Sequence, residues 1–301
     1  MPQQNDLNLF IWMSAARPRT LPAAAAPVIV AMAFAFRDGV FQWSTALACL
    51  LISFLMQIAS NFANDVFDFE RGSDTPDRLG PTRVTAAGLL TRRQMYAGMS
   101  VVIGLAVLLG LYLVWVRGWP VLVLGLAIIV AALAYTGGPF PYGYYALGDV
   151  FVLVFFGIVA VTGTYYAQSG SVSWPVLWAS IPVGLMIVNI LAVNNTRDIM
   201  TDKAANKRTL AVLLGRKAMH VEYVLCLLVS YMAPVLFILA GMGSWTYLVV
   251  WFSIPKAVSL YREFYQAEGR PLNKVLGETA RLALIYSLLF SFGVILSHWL
   301  G

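Results

Sequence analysis

Long apolar stretches, separated by polar segments, occupy most of the chain. Nine of them approach the roughly 20 residues that an α-helix needs to cross a bilayer. We therefore predict an all-α integral membrane protein with about nine transmembrane helices. Because no polar segment is long enough to fold separately, residues 1–301 are predicted to form a single transmembrane domain. The predicted spans cover residues 20–36, 43–62, 95–116, 119–136, 148–167, 174–194, 220–240, 244–260 and 281–299.

Composition agrees with a membrane protein. The chain is 60% hydrophobic and only 11% charged, whereas a soluble domain carries roughly a quarter charged residues. The net charge of +6 does not indicate a nucleic-acid partner here, because an excess of Lys and Arg is typical of the cytoplasmic loops of membrane proteins. The two cysteines, Cys49 and Cys226, lie inside apolar stretches and are interpreted as core residues.

Basic residues divide the connections into two groups. By our count, 18 of the 20 Lys and Arg residues, all except Arg37 and Arg117, lie on the side of the N-terminal segment and the longer connections. These connections lie near residues 63–94, 137–147, 195–219 and 261–280. The positive-inside rule places such segments in the cytoplasm. We therefore predict a multi-pass protein of the bacterial cytoplasmic (inner) membrane, with its N-terminus on the cytoplasmic side.

A polar motif follows the second predicted span. Its amide and carboxylate side chains are Asn61, Asn64, Asp65 and Asp68. They are spaced i, i+3, i+4 and i+7, which places them on one face of a helix. Carboxylates crowded there repel one another and lose hydration unless a cation lies between them. The spacing indicates a cation site at the cytoplasmic end of this helix.

A second polar motif follows the sixth predicted span. Asn194 and Asp198, and again Asp198 and Asp202, are four residues apart and stack on one helix face. Both motifs lie on the same predicted side, so together they indicate a shared divalent-metal site. Helix capping or loop solubility is the alternative explanation, but polar clusters next to a membrane are costly without a function.

Basic residues follow both motifs. The first is followed by Arg71, Arg78 and Arg83, and the second by Lys203, Lys207 and Arg208. Mg²⁺ binds few protein oxygens and leaves its other positions to water and substrate phosphates. Acidic motifs with basic neighbours therefore suit a diphosphate bridged by Mg²⁺. If the diphosphate leaves an allylic carbon, tyrosine faces can stabilise the resulting carbocation.

Three further features on this side have two interpretations each. Arg17 and Arg19, before the first span, are either membrane anchors or ligands of an anionic substrate. Tyr142 and its neighbouring tyrosines form either an interfacial belt or an aromatic wall for a cation or a flat substrate. Asp149 either caps a helix N-terminus or belongs to the site.

The two motifs resemble the signatures of the membrane aromatic prenyltransferases, the UbiA superfamily. The resemblance runs from Arg17 to the C-terminus. It rests on Asn64-Asp65-x-x-Asp68 and Asp198-x-x-x-Asp202. Residues 16–21, 61–68, 72–74, 142–149 and 194–198 look most like the branch that prenylates 1,4-dihydroxy-2-naphthoate in menaquinone synthesis.

This resemblance implies a helical bundle around a central cavity that opens sideways to lipid. It implies Mg²⁺ as the cofactor, and a polyprenyl diphosphate and 1,4-dihydroxy-2-naphthoate as the substrates. The aromatic carbon would attack the allyl cation with loss of the carboxylate, giving demethylmenaquinone. The alternatives are another aromatic acceptor such as 4-hydroxybenzoate, or a cation-coupled membrane transporter. The transporter is disfavoured because the acids cluster at one membrane face.

Site residues follow from the same resemblance and from the interpretations above. The implied metal ligands are Asn64, Asp68, Asp198 and Asp202, and the implied catalytic residues are Asp65, Asp68, Asp198 and Asp202. The implied diphosphate-binding residues are Arg78, Arg83, Lys203, Lys207 and Arg208. The predicted acceptor-binding residues are Arg17, Arg19, Tyr142 and Asp149.

Overall fold

The computed structural model describes residues 4–74 and 78–300. Within them the chain forms helices and no β-strand, apart from one isolated bridge between Tyr145 and Arg208. The α-helices are α1 Gln4–Ala16, α2 Leu21–Arg37, α3 Trp43–Glu70, α4 Arg92–Arg117, α5 Trp119–Ala134, α6 Gly148–Val152, α7 Ala160–Ser169, α8 Trp174–Arg197, α9 Ile199–Ala204, α10 Leu210–Leu239, α11 Ile254–Gln266 and α12 Leu272–Leu300. Pro18–Thr20, Tyr142–Tyr144 and Trp245–Ser253 are 3₁₀ helices, and a π-helix over Leu153–Val159 joins α6 to α7.

Seven helical segments in the described residues are long and apolar enough to cross a membrane. They are Leu9–Arg37, Trp43–Glu70, Arg92–Arg117, Gly148–Ser169, Trp174–Arg197, Leu210–Leu239 and Leu272–Leu300. The prediction of an all-α membrane protein is therefore confirmed, whereas the full count of nine spans is not.

The other two predicted spans are helical but differ from a complete membrane helix. Helix α5 has 16 residues, which is roughly 24 Å at 1.5 Å per residue and shorter than a bilayer core. The stretch predicted over 244–260 is a 3₁₀ helix followed by α11. The change comes at Ile254, where Pro255 occupies the first turn of α11 and fits a helix start because its missing N–H is not needed there.

Helix starts explain why several helices are longer than their apolar stretches. Thr91 and Gln94 form a capping box at the start of α4, in which Gln94 N donates to Thr91 Oγ1 at 3.2 Å and Thr91 N donates to Gln94 Oε1 at 2.8 Å. Thr209 caps the first turn of α10 through Val212 N at 3.3 Å, and α10 is interrupted at Gly215, whose φ of 79° is not helical. These caps lie several residues before each apolar stretch begins. Hydropathy alone therefore predicts the start of both helices too late in the chain.

Helix α12 lies at the centre of the packed half of the bundle, against α2 and α8, while α8 also packs against α10. Aromatic rings fill the space between α2, α12 and the 3₁₀ helix over Trp245–Ser253. Tyr247 lies 5.4 Å from Phe290 and 6.5 Å from Phe34, measured between ring centroids. Helices α4 and α5 lie at the edge and present many exposed apolar side chains.

The two ends of the bundle have different chemistry. One end, which we call the tryptophan end, contains the connections 38–42, 118, 170–173 and 240–244. Hydrogen bonds join these connections, as Gln42 N donates to Gln168 Oε1 at 2.6 Å and Arg37 Nη1 donates to Tyr247 OH at 2.9 Å. Exposed tryptophans surround this end: Trp43, Trp115, Trp119, Trp174, Trp178, Trp245, Trp251 and Trp299. Such a belt is typical of a membrane interface.

The opposite end, which we call the basic end, contains both acidic motifs.

Candidate functional site

A cavity of about 440 Å³ runs from the basic end into the bundle. At the basic end it is lined by polar and charged side chains from both motifs and their neighbours: Arg17, Asn61, Asn64, Asp68, Arg78, Arg83, Asn194, Asp198, Asp202 and Lys207. Deeper in the bundle its walls are mostly apolar, and it extends to Cys49, Leu113, Val121 and Ala167 near the tryptophan end. One cavity thus joins a charged head region to an apolar tail region.

Helices α4 and α5 form one wall of this cavity. Leu111 and Val107 of α4 and Leu122 and Leu126 of α5 line the cavity, and all four side chains are exposed. These two helices therefore combine positions that line the cavity with exposed apolar positions.

The first motif occupies the last turns of α3, and its four side chains have separate partners. Asn61 Nδ2 donates to Ala16 O at 2.9 Å and so fixes the chain before α2. Asn64 lines the cavity, and its Oδ1 accepts a hydrogen bond from Thr136 Oγ1 at 2.9 Å.

The two carboxylates of this motif differ in position. Asp65 does not line the cavity, because its oxygens accept hydrogen bonds from the backbone amides of Val84 at 3.1 Å and Thr85 at 3.0 Å. Asp68 lines the cavity and accepts from Arg83 Nη2 at 2.7 Å and Tyr144 OH at 2.8 Å. Asp65 therefore holds the loop, and Asp68 faces the cavity.

The second motif occupies the end of α8 and the short helix α9. Asp198 forms a two-point ion pair with Arg197, from Nε to Oδ1 at 2.8 Å and from Nη2 to Oδ2 at 2.5 Å. Burial by itself raises the pKa of the Asp198 carboxyl, but the hydrogen bonds and charge of Arg197 outweigh it and hold that pKa below its usual value. Asp198 is therefore ionised in the folded protein at neutral pH.

Asp202 has a different environment. Its Oδ1 lies 3.5 Å from Lys207 Nζ, while its Oδ2 is buried with no hydrogen-bond partner among the described residues. Burial raises the pKa of Asp202 to about 6, although Lys207 acts in the opposite direction. The unpartnered oxygen of Asp202 is free to accept a cation or a donor.

Of the five residues predicted to bind diphosphate, three line the cavity. Arg83 is only 6% exposed and contacts Asp68, while Arg78 Nη1 donates to Asp74 Oδ1 at 2.9 Å. Lys207 is the third. Lys203 and Arg208 are exposed and do not line the cavity.

Of the four residues predicted to bind the acceptor, two line the cavity. Arg17 Nη2 is buried without a hydrogen-bond partner in the described part of the chain. Tyr142 stacks on Phe151 with ring centroids 4.0 Å apart. Arg19 is exposed, and Asp149 is buried against Glu222 rather than facing the cavity.

Sequence reasoning missed Tyr144, Arg197 and Asn273. Tyr144 lay in the tyrosine-rich loop already singled out, but spacing could not separate it from Tyr142. Arg197 was inside the second motif, yet one of its partners, Asn273, is 76 residues away in the chain. Asn273 gave no signal at all, because a single amide in a polar connection is ordinary.

The oxygen ligands at the polar end of the cavity suit Mg²⁺ only when a substrate supplies further ligands. Among the described residues, no group of three or more His, Cys, Asp or Glu side chains could hold a metal ion alone. The cavity instead offers carboxylates and amides on two sides of its polar end. Mg²⁺ commonly binds through one or two carboxylates together with substrate phosphates. The unpartnered Asp202 Oδ2, and the buried unpartnered Nη atoms of Arg17 and Arg83, suit a cation and an anion bound together.

Comparison with known proteins agrees with this geometry. Residues 24–285 match the model of the UbiA prenyltransferase family. The 1,4-dihydroxy-2-naphthoate octaprenyltransferase of Escherichia coli (strain K12) is 36% identical over 99% of this chain and 99% of its own length. The protein of the same name from Haemophilus influenzae is 35% identical over 96% of each chain.

A solved structure shares the fold. The UbiA homologue from Archaeoglobus fulgidus, bound to DMAPP and Mg²⁺, superposes with a TM-score of 0.65 at 14% sequence identity and covers 94% of this chain and 98% of its own. The resemblance predicted from the two acidic motifs is confirmed by the family match. This chain belongs to the UbiA prenyltransferase family.

Proposed function

We propose that this protein transfers a polyprenyl group from its diphosphate to 1,4-dihydroxy-2-naphthoate. The carboxylate leaves as CO₂, and the product is the reduced form of demethylmenaquinone. The observation that supports this proposal best is the single cavity with buried cations and carboxylates at one end and apolar walls next to lipid at the other. The names of the full-length relatives support the choice of acceptor.

The polar end of the cavity binds the diphosphate. Arg78, Arg83 and Lys207 line it and carry the positive charge that the outer diphosphate oxygens require. Bound Mg²⁺ would be held by Asn64, Asp68, Asp198 and Asp202 and would neutralise the charge on the departing diphosphate. The carbon–oxygen bond breaks, and the electron pair leaves with the diphosphate.

The apolar walls protect the allyl cation and receive the prenyl tail. They exclude water, which would otherwise capture the cation. A cavity of about 440 Å³ is in the range of sites for drug-sized ligands, so it holds only the first part of a long polyprenyl chain. The remainder lies in lipid beyond α4 and α5.

The acceptor lies between the aromatic wall and Arg17. Tyr142, Tyr135 and Phe151 line the cavity and supply flat apolar surface for a naphthalene ring. The unpartnered Nη2 of Arg17 suits the acceptor carboxylate. Arg19 and Asp149 do not line the cavity, so this part of the proposal rests on Arg17 and Tyr142.

We place the basic end in the cytoplasm of a bacterium, at the inner membrane. The ring of tryptophans at one end and the excess of Lys and Arg at the other support this orientation. Both the anionic acceptor and the released diphosphate then enter and leave on the cytoplasmic side.

Incubation of the purified protein with Mg²⁺, a prenyl diphosphate and a panel of aromatic acids tests the proposal. We expect product and CO₂ with 1,4-dihydroxy-2-naphthoate, and none when a chelator replaces Mg²⁺. Preferential prenylation of 4-hydroxybenzoate would contradict the acceptor but not the diphosphate chemistry. If ion flux in liposomes occurred without diphosphate release, the protein would be a transporter and the enzyme assignment would be wrong.

A further inference from the structure

One buried guanidinium joins three parts of the basic end. Arg197 is 5% exposed and uses all three of its nitrogens. Nε and Nη2 bind Asp198, Nη2 also donates to Asn194 Oδ1 at 2.8 Å, and Nη1 donates to Asn273 Oδ1 at 2.8 Å. Asn273 lies in the first turn of α12. The end of α8 and the start of α12 are therefore fixed to each other through one side chain.

Asn273 extends this connection to the loop after the first motif. Its Nδ2 donates to the backbone oxygen of Leu79 at 2.8 Å. The amide thus accepts from Arg197 with one atom and donates to the loop with the other. Gly80 follows directly and lies against the guanidinium, since a Cβ on Gly80 would be 2.9 Å from Arg197 Nη2.

The other end of this loop is held by the first motif. Arg83 Nη2 donates to Asp68 at 2.7 Å, and the amides of Val84 and Thr85 donate to Asp65. Residues 78–85 are therefore attached to α3 at one end and to α8 and α12 at the other. This segment contains Arg78 and Arg83, which line the polar end of the cavity.

Neither Arg197 nor Asn273 lines the cavity. Both therefore act on a bound ligand only through other residues. A carboxylate has about four lone-pair sites, so the two-point contact with Arg197 leaves Asp198 able to accept a further ligand. The orientation of Asp198 and the path of the 78–85 loop are set by the same guanidinium.

We propose that Arg197 and Asn273 are positioning residues that fix the Arg78–Arg83 loop relative to the Asp198 carboxylate and thereby set the affinity for the prenyl diphosphate. This inference rests on the proposed function. A planar guanidinium makes these four contacts at fixed angles, and a lysine ammonium cannot reproduce them. The predicted defect falls mainly on the diphosphate end, because in the described part of the chain no hydrogen bond joins the acceptor residues Arg17 and Tyr142 to Arg197 or Asn273.

Two substitutions of Asn273 test its two hydrogen bonds, one with Arg197 and one with Leu79. Asn273→Ala removes both hydrogen bonds, whereas Asn273→Asp keeps an acceptor for Arg197 but replaces the donor to Leu79 by a carboxylate oxygen that repels the Leu79 carbonyl. Loss of a hydrogen bond to a charged group typically changes an equilibrium by about tenfold or more. We expect Asn273→Ala to weaken binding of geranyl S-thiolodiphosphate, an analogue that does not ionise, by about tenfold in the presence of Mg²⁺. Asn273→Asp should also weaken binding, because the Leu79 side of the connection is lost although Arg197 keeps its acceptor.

The measurements are calorimetric binding of that analogue to the full-length protein and separate KM values for the two substrates. The KM for the prenyl diphosphate should rise in Asn273→Ala while the KM for the naphthoate stays unchanged. Lys274→Ala is the matched control, because its side chain is exposed and pairs with Glu263 outside this network. It should behave as the wild type.

A second pair of variants tests the loop side. Gly80→Ala pushes a methyl group against Arg197 and should weaken analogue binding in the same way. Gly277→Ala is its control, since a Cβ there meets nothing within 4 Å among the described residues. Gly80 and Asn273 both act through the Arg197 guanidinium. The double variant should therefore lose little more affinity for the analogue than the weaker-binding single variant.

Wild-type affinity in Asn273→Ala and Gly80→Ala, with an active wild type, would overturn this inference alone. An equal rise in the KM for both substrates, together with a lowered melting temperature, would also overturn it, since that result indicates a general structural role. Failure of the wild type to bind the analogue or to transfer a prenyl group would overturn the proposed function, and this inference with it.

Discussion

At the scale of single residues, spacing predicts which side chains share a helix face but not what each one contacts. Asn64 and Asp68 line the cavity as expected of a site on one face of α3. Asp65 belongs to the same predicted face, yet it binds two loop amides. The loop over 78–85 provides those amides, and no local pattern reveals the path of a loop. The difference between Asp65 and Asp68 therefore needed the tertiary structure.

Asp68→Asn and Asp198→Asn should each lower turnover by ~10²-fold or more, because each would remove a carboxylate that holds Mg²⁺ against the leaving diphosphate. The double variant should be little worse than either single one, since residues that act as a unit are not additive. Initial rates of prenyl transfer test this. Glu70→Gln is the control, because Glu70 lies on the same helix but pairs with Arg92 and Tyr96 away from the cavity. Additive losses would contradict a shared site.

Arg17→Ala should raise the KM for the naphthoate more than the KM for the prenyl diphosphate. The buried Nη2 of Arg17 has no partner among the described residues, so a carboxylate placed there gains a charge-assisted hydrogen bond. Arg19→Ala is the matched control, since Arg19 is exposed and lies outside the cavity. If Arg17→Ala weakened only the use of prenyl diphosphate, Arg17 would belong to the leaving-group site.

At the scale of elements, hydropathy predicts where helices lie but not where they end or change type. The stretch over 148–167 reads as one ordinary span, yet its middle is the π-helix Leu153–Val159. Here Gly157 meets Gly184 of α8, and a Cβ on Gly184 would be 2.9 Å from Gly157 Cα. Because these two glycines are far apart in sequence, no sequence pattern predicts that they are in contact. The close crossing that they allow appears only when the helices are packed.

Gly184→Ala should destabilise the protein, because its methyl group would collide with backbone that cannot move away. Overpacking of this kind costs about 1–3 kcal/mol. A lowered midpoint of thermal unfolding in detergent would show the effect. Gly104→Ala, on the exposed helix α4 with nothing within 4 Å of a new Cβ among the described residues, is the control. An unchanged midpoint for Gly184→Ala would mean that the two helices separate easily.

At the scale of the whole molecule, composition predicted the membrane protein but not the count of full spans, and the cytoplasmic side of the site stays a prediction from the charge pattern. Helix α5 and the segment 245–266 are helical without being complete membrane helices. Hydropathy scores a stretch of residues, whereas crossing a membrane depends on helix length and on continuity of helix type. The cavity itself could be inferred from family resemblance only, because it is formed by residues from α3, α4, α5, α7 and α8 together.

Opposite exposure of the two ends can be tested by chemical labelling. Arg93→Cys at the basic end and Ser171→Cys at the tryptophan end are both at exposed positions. In intact cells an impermeant thiol reagent should label only the second, while inverted vesicles should reverse the result. The native Cys49 and Cys226 are buried, so the parent protein gives the background. Labelling of both positions from outside would contradict the orientation.

The thin wall formed by α4 and α5 has a kinetic consequence. A prenyl tail that remains in hydrocarbon meets the protein by diffusion in two dimensions, so its effective concentration is the mole fraction in the lipid phase and not the amount per volume of solution. Adding inert lipid or detergent at constant total substrate should therefore slow the reaction in proportion to surface dilution. Dilution with buffer at a fixed lipid-to-substrate ratio should leave the dependence on prenyl diphosphate unchanged. For the water-soluble acceptor, added lipid should not change the dependence of the rate on its concentration, whereas dilution with buffer should slow the reaction.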